Sequence, residues 1–321
     1  MIDLPLITAD TPIRLASRAS KLALAQTEEV LRKLMPHHAL IKTFSTRGDE
    51  VLDRSLADVG GKGLFIKTLE KAMLAGEADA AVHSAKDMEN HFADGTSLVA
   101  FLEREDRRDA LIGAYRTLSE IPQGSILGTA SVRRSAIIQS IRPDLKIKLL
   151  RGNVNSRLQQ LADGHYDAII LAMAGLNRLG ISQNVHPIAE DIMLPAAGQG
   201  VVAIQAVNAN EDPLRAQMHT ILSGLNHHQT AVEITAERAV LATLDGTCHT
   251  PVAASAHFDG DIVQIKAQLM SLDGRIVVTA EASGHADDVL TLGHDCGQHL
   301  LAQVGGRDFI LAQQPPVTSN Q

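Results

Sequence analysis

The chain has 321 residues, a formal net charge of −8, 45% hydrophobic residues and only 2% aromatic ones, with no Trp. This length accommodates two or three domains with aliphatic cores. The acidic balance excludes a general nucleic-acid binder, and the scarcity of rings removes the stacking platforms of a single-strand binder. No apolar run approaches the roughly 18 residues of a membrane span, and the N-terminus has no basic region ahead of an apolar core. Two cysteines, Cys248 and Cys296, make no disulfide framework. The expectation is a cytoplasmic protein with no nucleic acid, membrane or metal partner.

In chain order, residues 13–17 read as a strand. A helix over 21–34 follows, with Ser20 as its N-cap and Pro36 past its end. Residues 39–44 read as a second strand, ending in Ser45-Thr46-Arg47-Gly48-Asp49. The loop Gly60-Gly61-Lys62-Gly63 opens a helix over 64–75, whose Leu64, Phe65, Leu69, Ala72 and Met73 share one face. That loop lacks the GxxxxGK[ST] spacing of a phosphate loop. A small strand over 78–82 runs into His83-Ser84-Ala85-Lys86-Asp87, at the carboxyl edge where open α/β sheets place their sites.

The charge run Glu103-Arg104-Glu105-Asp106-Arg107-Arg108-Asp109 has no apolar periodicity and reads as a linker into a second domain. There the same grammar occurs twice. A strand over 125–128 meets Gly128-Thr129-Ala130-Ser131-Val132-Arg133-Arg134, and a strand over 146–150 meets Arg151-Gly152-Asn153-Val154-Asn155-Ser156-Arg157. A strand running into a helix aims backbone N–H groups and the positive helix end into one crevice. Four arginines, Arg133, Arg134, Arg151 and Arg157, add guanidiniums that fork onto carboxylates or phosphates. In a parallel sheet the two units make one cationic floor for a small polyanion. A strand over 167–171 with its helix continues the rhythm. After Leu194-Pro195-Ala196-Ala197-Gly198-Gln199-Gly200, a strand over 201–207 and a helix after Pro213 return the chain to the first domain.

From about residue 225 the pattern changes. A helix over 230–244 leads to Asp245-Gly246-Thr247-Cys248-His249-Thr250-Pro251. Strands over 252–258, 262–271 and 276–282 follow, with turns at Asp259-Gly260 and Asp273-Gly274, then a helix over 286–304. The fold class is α/β: two periplasmic-binding-protein-like doubly wound lobes plus a small α+β domain with a three-stranded antiparallel sheet. The boundaries are 1–103 with 201–222, then 107–198, then 225–312, with a disordered tail at 313–321.

Arg18-Ala19-Ser20, Thr46-Arg47-Gly48-Asp49, Gly60-Gly61-Lys62-Gly63-Leu64-Phe65, His83-Ser84-Ala85-Lys86-Asp87, Ser131-Val132-Arg133-Arg134, Leu150-Arg151-Gly152-Asn153-Val154, Leu194-Pro195-Ala196-Ala197-Gly198-Gln199-Gly200 and Gly246-Thr247-Cys248 together resemble the porphobilinogen deaminase (hydroxymethylbilane synthase) family. The resemblance implies a monomeric transferase of haem biosynthesis. It would join four porphobilinogen molecules head to tail, with loss of ammonia, on a covalent dipyrromethane cofactor. It implies that Cys248 carries the cofactor by a thioether and that Asp87 is the catalytic carboxylate. Ser84, Lys86, Thr129, Ser131, Arg133, Arg134, Arg151 and Gly152 are implied as cofactor-binding. Arg18, Ser20, Lys62, Arg157 and Gln199 are implied at the substrate.

Lys21, Ala130, Met88-Glu89, His249 and Thr250 depart from the family's usual residues, and Glu89 stands where a proline would stiffen the loop after Asp87. Cys296, inside the last helix, reads as a buried hydrophobe. His294, Cys296 and His299 fall on different helix faces, which speaks against a metal site. The alternative is a non-catalytic two-lobed anion- or solute-binding protein, which would need no reactive cysteine.

Overall fold

The computed structural model describes residues 7–45, 63–210, 212–244 and 250–313, with residues 63–65 as backbone alone. The first lobe begins β1 (Ile13–Arg18), α1 (Lys21–Lys33), β2 (Ala39–Phe44), α2 (Gly63–Leu74), β3 (Ala80–Ser84) and β4 (Thr96–Phe101). A crossing over 102–108 leads to β5 (Asp109–Gly113), β6 (Ile126–Thr129), α3 (Val132–Ile141), β7 (Lys146–Leu149), α4 (Val154–Ala162), β8 (Ala168–Ala172), α5 (Met173–Arg178) and β9 (Val185–Pro187). The chain then crosses back to β10 (Val202–Val207) and α6 (Pro213–Ser223). The third unit comprises α7 (His228–Thr243), β11 (Val252–Asp259), β12 (Ile262–Met270), β13 (Val277–His285), α8 (Val289–Gln303) and a short α9 (Asp308–Leu311).

The two lobes share one sheet plan. Their strand orders are β2-β1-β3-β10-β4 and β7-β6-β8-β5-β9. The pair β6 and β7 is parallel, as the twin turns require, but neither sheet is purely parallel. β10 runs antiparallel to β3 and β4, and β5 runs antiparallel to β8 and β9. The expected parallel second sheet is therefore corrected to a mixed one. The registers give the cause: Val202 at the start of β10 pairs with Ser84 at the end of β3, and Asp109 at the start of β5 pairs with Ala172 at the end of β8. Each crossing enters its sheet from the cleft edge, so the strand must run against its neighbours. The sequence reading missed β4, β5 and β9, strands of six, five and three residues.

Aliphatic residues fill the cores, with Ile13, Leu15, Val82, Val202 and Ile204 in the first lobe and Leu111, Leu127, Ile138 and Ile170 in the second. The third unit is an antiparallel meander backed by α7 and α8, and β12 alternates exposed and buried residues as a half-buried strand should. Gln313, the first residue of the expected tail, accepts from the Leu272 amide at 2.6 Å, and 314–321 lie outside the described residues.

The charge run is a linker, but two of its arginines turn inward. Arg104 lies 3.2 Å from Glu233 and 3.0 Å from Glu237, and Arg107 lies 2.7 Å from Glu233, so the crossing is clamped to α7. Gly200 in the return crossing has φ +89, and an added Cβ would sit 2.4 Å from the Glu105 carbonyl oxygen. Only glycine lets the two crossings pass this closely. Arg178 on α5 pairs with Glu29 on α1 at 3.1 Å and donates to the Gly200 carbonyl, joining the lobes beside that passage.

Candidate active site

On the first lobe, β3 ends at Ser84 and passes into a single 3-10 turn, Ala85–Asp87. The Ser84 hydroxyl meets the Gln26 amide of α1, which donates at 2.8 Å. Asp87 is half-buried at the cleft edge, and Lys86 reaches the Gln199 side-chain oxygen at 3.5 Å. Arg18 ends β1 half-buried, and Ser20 caps α1 by accepting from the Ala23 amide. His83, behind the turn, is pushed down to about 4, chiefly by burial, and holds Gln205 at 3.0 Å.

On the second lobe, Thr129 and Ser131 follow β6. The Ser131 amide donates to the Thr129 hydroxyl at 3.2 Å, and the Ser131 side chain caps α3. Asn153 caps α4 in the same way. Gly152 lies between β7 and α4 at φ +103, and its carbonyl accepts from Arg157 Nε at 2.7 Å. An added Cβ would be strained at that φ and would also displace Ser156 Oγ, so this tight entry into α4 favours glycine.

The four arginines separate into two pairs. Arg133 and Arg134 are 3% and 5% exposed, and both close on the fully buried Asp109. Arg133 donates to Asp109 at 2.7 Å and to the Leu194 carbonyl, while Arg134 donates at 3.0 and 2.7 Å to Asp109 and also to the Ile170 carbonyl. Burial alone would raise the Asp109 carboxyl, but the two guanidiniums outweigh it and hold it well below the usual carboxylate range. Arg151 and Arg157 stay half-buried at the cleft. Burial pushes Arg157 down to about 10; Arg134 and Arg151 push the same way, and Asp87 opposes them. Arg157 therefore remains charged at neutral pH, within the electrostatic reach of two like charges and of Asp87 from the other lobe.

The structure thus brings Asp87 within electrostatic reach of Arg157, with Arg151 beside it and Lys86 in the same turn as Asp87, while Thr129, Arg133 and Arg134 are buried. Gln199 is 1% exposed, and its amide donates at 2.8 Å to both the Arg107 carbonyl and Asp109. It is seated in the hinge, with Lys86 as its contact toward the cleft. Lys62, Thr46-Arg47-Gly48-Asp49 and Cys248 lie outside the described residues. Cys296 is fully buried among the third unit's core residues, and burial pushes its thiol up to about 11.

The sequence reading overlooked Asp109 as an organiser of the floor. The available signal was an aspartate opening the apolar stretch Ala110-Leu111-Ile112, where a buried strand start leaves a carboxylate in need of cations. Among the described residues, no group of three or more His, Cys, Asp or Glu is placed to hold a metal ion. No described helix is long and apolar enough to cross a membrane.

Fold and site define a two-lobed α/β protein in which, among the described residues, Arg134, Arg151 and Arg157 on one lobe lie within electrostatic reach of Asp87 on the other, with a small third unit packed on the first crossing. The model of the porphobilinogen deaminase dipyrromethane cofactor-binding domain matches residues 13–215, and that of the porphobilinogen deaminase C-terminal domain matches 231–302. The chain belongs to the porphobilinogen deaminase family. It is 43% identical over 305 residues to the porphobilinogen deaminase of Nitrobacter hamburgensis, covering 92% of this chain and 95% of that one. Similar solved structures include the Bordetella pertussis BvgS VFT2 domain, at 15% identity and a TM-score of 0.38, covering 72% of this chain and 95% of that one. An ABC transporter structure from Parabacteroides distasonis matches at 12% identity and a TM-score of 0.41, covering 72% and 74%. These distant likenesses do not favour the solute-binding alternative over the enzyme family.

Proposed function

We propose that this chain is a transferase that condenses four porphobilinogen molecules head to tail, releasing ammonia at each step, to give hydroxymethylbilane. It does so on a dipyrromethane primer attached through a thioether at Cys248. One observation carries the reading: Arg157 feels the like charges of Arg134 and Arg151 on its own lobe and the opposite charge of Asp87 on the other. Every porphobilinogen unit carries two carboxylates, and a growing oligopyrrole multiplies them. A polycarboxylate relieves the like-charge repulsion, and each charge-assisted hydrogen bond contributes roughly 1.5–3 kcal/mol.

The donor set fits the dipyrromethane. The mouths of α3 and α4, capped by Ser131 and Asn153, lie side by side on paired strands with Arg151 and Arg157 beside them. Ser84, Lys86, Ser131, Arg151 and Gly152 would hold its carboxylates and backbone-facing edge, with the buried Thr129, Arg133 and Arg134 bracing the floor behind them. When bound, it supplies the terminal pyrrole carbon on which new units are joined. Arg18, Ser20, Lys62, Arg157 and Gln199 are assigned to the incoming substrate, Gln199 acting through Lys86.

Asp87 does the chemical work. As ammonia leaves porphobilinogen, positive charge spreads onto the substrate's ring nitrogen, and a fixed carboxylate beside that N–H lowers the cost of forming it. The same carboxylate would also face the ring N–H of the primer's terminal pyrrole, and could accept the proton released when a unit is joined and pass it to solvent. The short 3-10 turn at the end of a buried strand fixes the carboxylate before the charge develops.

The domain boundaries we assign are 1–103 with 201–222, 107–198 and 225–312. A monomer suffices, because Asp87, the arginines and α7 all come from one chain. The buried free thiol of Cys296 accords with a reducing cytoplasm.

Thiol titration tests the attachment. With Cys248 alkylated by the primer and Cys296 buried and protonated up to about pH 11, the native protein at pH 8 should react with no thiol reagent. Unfolded protein should titrate one thiol out of the two cysteines in the sequence. Two thiols in the unfolded, active protein would contradict the thioether.

A further inference from the structure

The catalytic turn is short, and its start is anchored by the Ala85 amide, which donates to the Val201 carbonyl at 3.0 Å. Its closing backbone bond runs from the Met88 amide to the Ala85 carbonyl at 3.1 Å, and residues 88–95 then continue without helix or strand. Two residues one helical turn apart on α7 of the third unit reach this segment. Ile234 packs in a cluster with Ala85 and Met88, the neighbours that bracket Lys86 and Asp87. Arg238 donates from Nη2 to the Glu89 carbonyl at 2.8 Å, and its guanidinium carbon lies 5.4 Å from the centroid of the Phe92 ring. That distance is within cation–π range. Phe92 itself packs against the Ala85 and Met88 cluster, so the guanidinium clamps the segment from both its backbone and its ring side.

The same helix carries Glu233 and Glu237, which clamp Arg104 and Arg107 of the first crossing. One helix therefore packs on both the first crossing and the turn bearing Asp87.

We propose that Arg238 is a positioning residue for the condensation: it sets the Asp87 carboxylate from the third domain, replacing the stiffness that a proline at position 89 would give. The inference rests on the role of Asp87 proposed above. A guanidinium suits the task because its planar fork can bond a carbonyl and face a ring at once, which lysine cannot.

Backbone geometry supplies a rescue test. Met88 has φ −80 and ψ 141, the conformation a residue adopts ahead of proline, and the Glu89 side chain is exposed. Arg238→Leu should lower kcat about tenfold, the scale of a small misplacement of a catalytic group, with KM for porphobilinogen changed less than about twofold. Primer attachment by intact mass should persist. Phe92→Leu, which keeps an apolar filler and removes the ring, should lower kcat in the same direction by a smaller factor. Adding Glu89→Pro to Arg238→Leu should recover most of the lost kcat. An unchanged kcat in both single variants, or a loss that Glu89→Pro does not relieve, overturns the proposal. Turnover by the unmodified enzyme in the same assay separates that outcome from a failure of the functional assignment.

Discussion

Asp87→Asn should lower kcat by about a hundred- to a thousandfold, the usual scale for removing a preorganised charge that meets developing charge. The amide fills the same space and can still accept a hydrogen bond from a pyrrole N–H, so substrate affinity should change little. What is lost is the full negative charge, needed only as ammonia departs and again before the ring proton is shed. Losses confined to kcat are the signature of an interaction made in the transition state. The turn is held by Ala85, Met88 and the Arg238 clamp, so the melting temperature and primer mass should match the parent. Across the cleft, Asp87 currently opposes the lowering of Arg157 by burial and by its arginine neighbours. Without that charge, Arg157 should release its proton at a lower pH, and the alkaline limb of activity should move downward. Near-parental kcat in Asp87→Asn would remove the carboxylate from the mechanism.

Asp109→Asn should cost about 3–5 kcal/mol of folding stability at pH 7, the penalty for stripping the counter-charge from a buried ionic cluster. The carboxylate is fully buried between Arg133 and Arg134, and its neutral replacement leaves two desolvated guanidiniums facing each other. The sign of the pH dependence follows from linkage. The folded carboxyl is depressed below its unfolded value, so its stabilisation is complete above about pH 4 and is lost as pH falls further. The stability gap between parent and Asp109→Asn should therefore be widest near neutrality and narrow on acidification. Urea unfolding at pH 7 and below pH 4 measures it. A variant within about 1 kcal/mol of the parent at pH 7 would show that the cluster is not held by this charge.

Much of this architecture was legible because it is local. Ser20 caps α1 as expected, and the two strand–turn–helix units begin where they were read, with Gly152 at the tight entry into α4. The twin strand–turn–helix units reveal a floor for anions, since their donors follow from consecutive residues. Partners distant in sequence were not legible. Arg133 and Arg134 looked identical in kind to Arg151 and Arg157, yet a carboxylate about two dozen residues upstream buries the first pair and leaves the second pair at the cleft. Gln199 resembled a ligand contact until the crossings were seen to meet around it. The link from Arg238 to Glu89 spans 149 residues, a separation at which spacing carries no signal. Strand direction was misjudged for a related reason: a crossing that arrives at the cleft edge reverses its strand whatever that strand's own residues prefer.

The central claim is that a tethered oligopyrrole grows in this cleft, and intact mass reads it directly. Freshly purified protein should exceed its sequence mass by one dipyrromethane. Brief exposure to limiting porphobilinogen should add a ladder of units, each one porphobilinogen less ammonia, and Cys248→Ala should carry neither primer nor ladder. A protein that makes hydroxymethylbilane at full rate while weighing no more than its bare polypeptide would contradict the account.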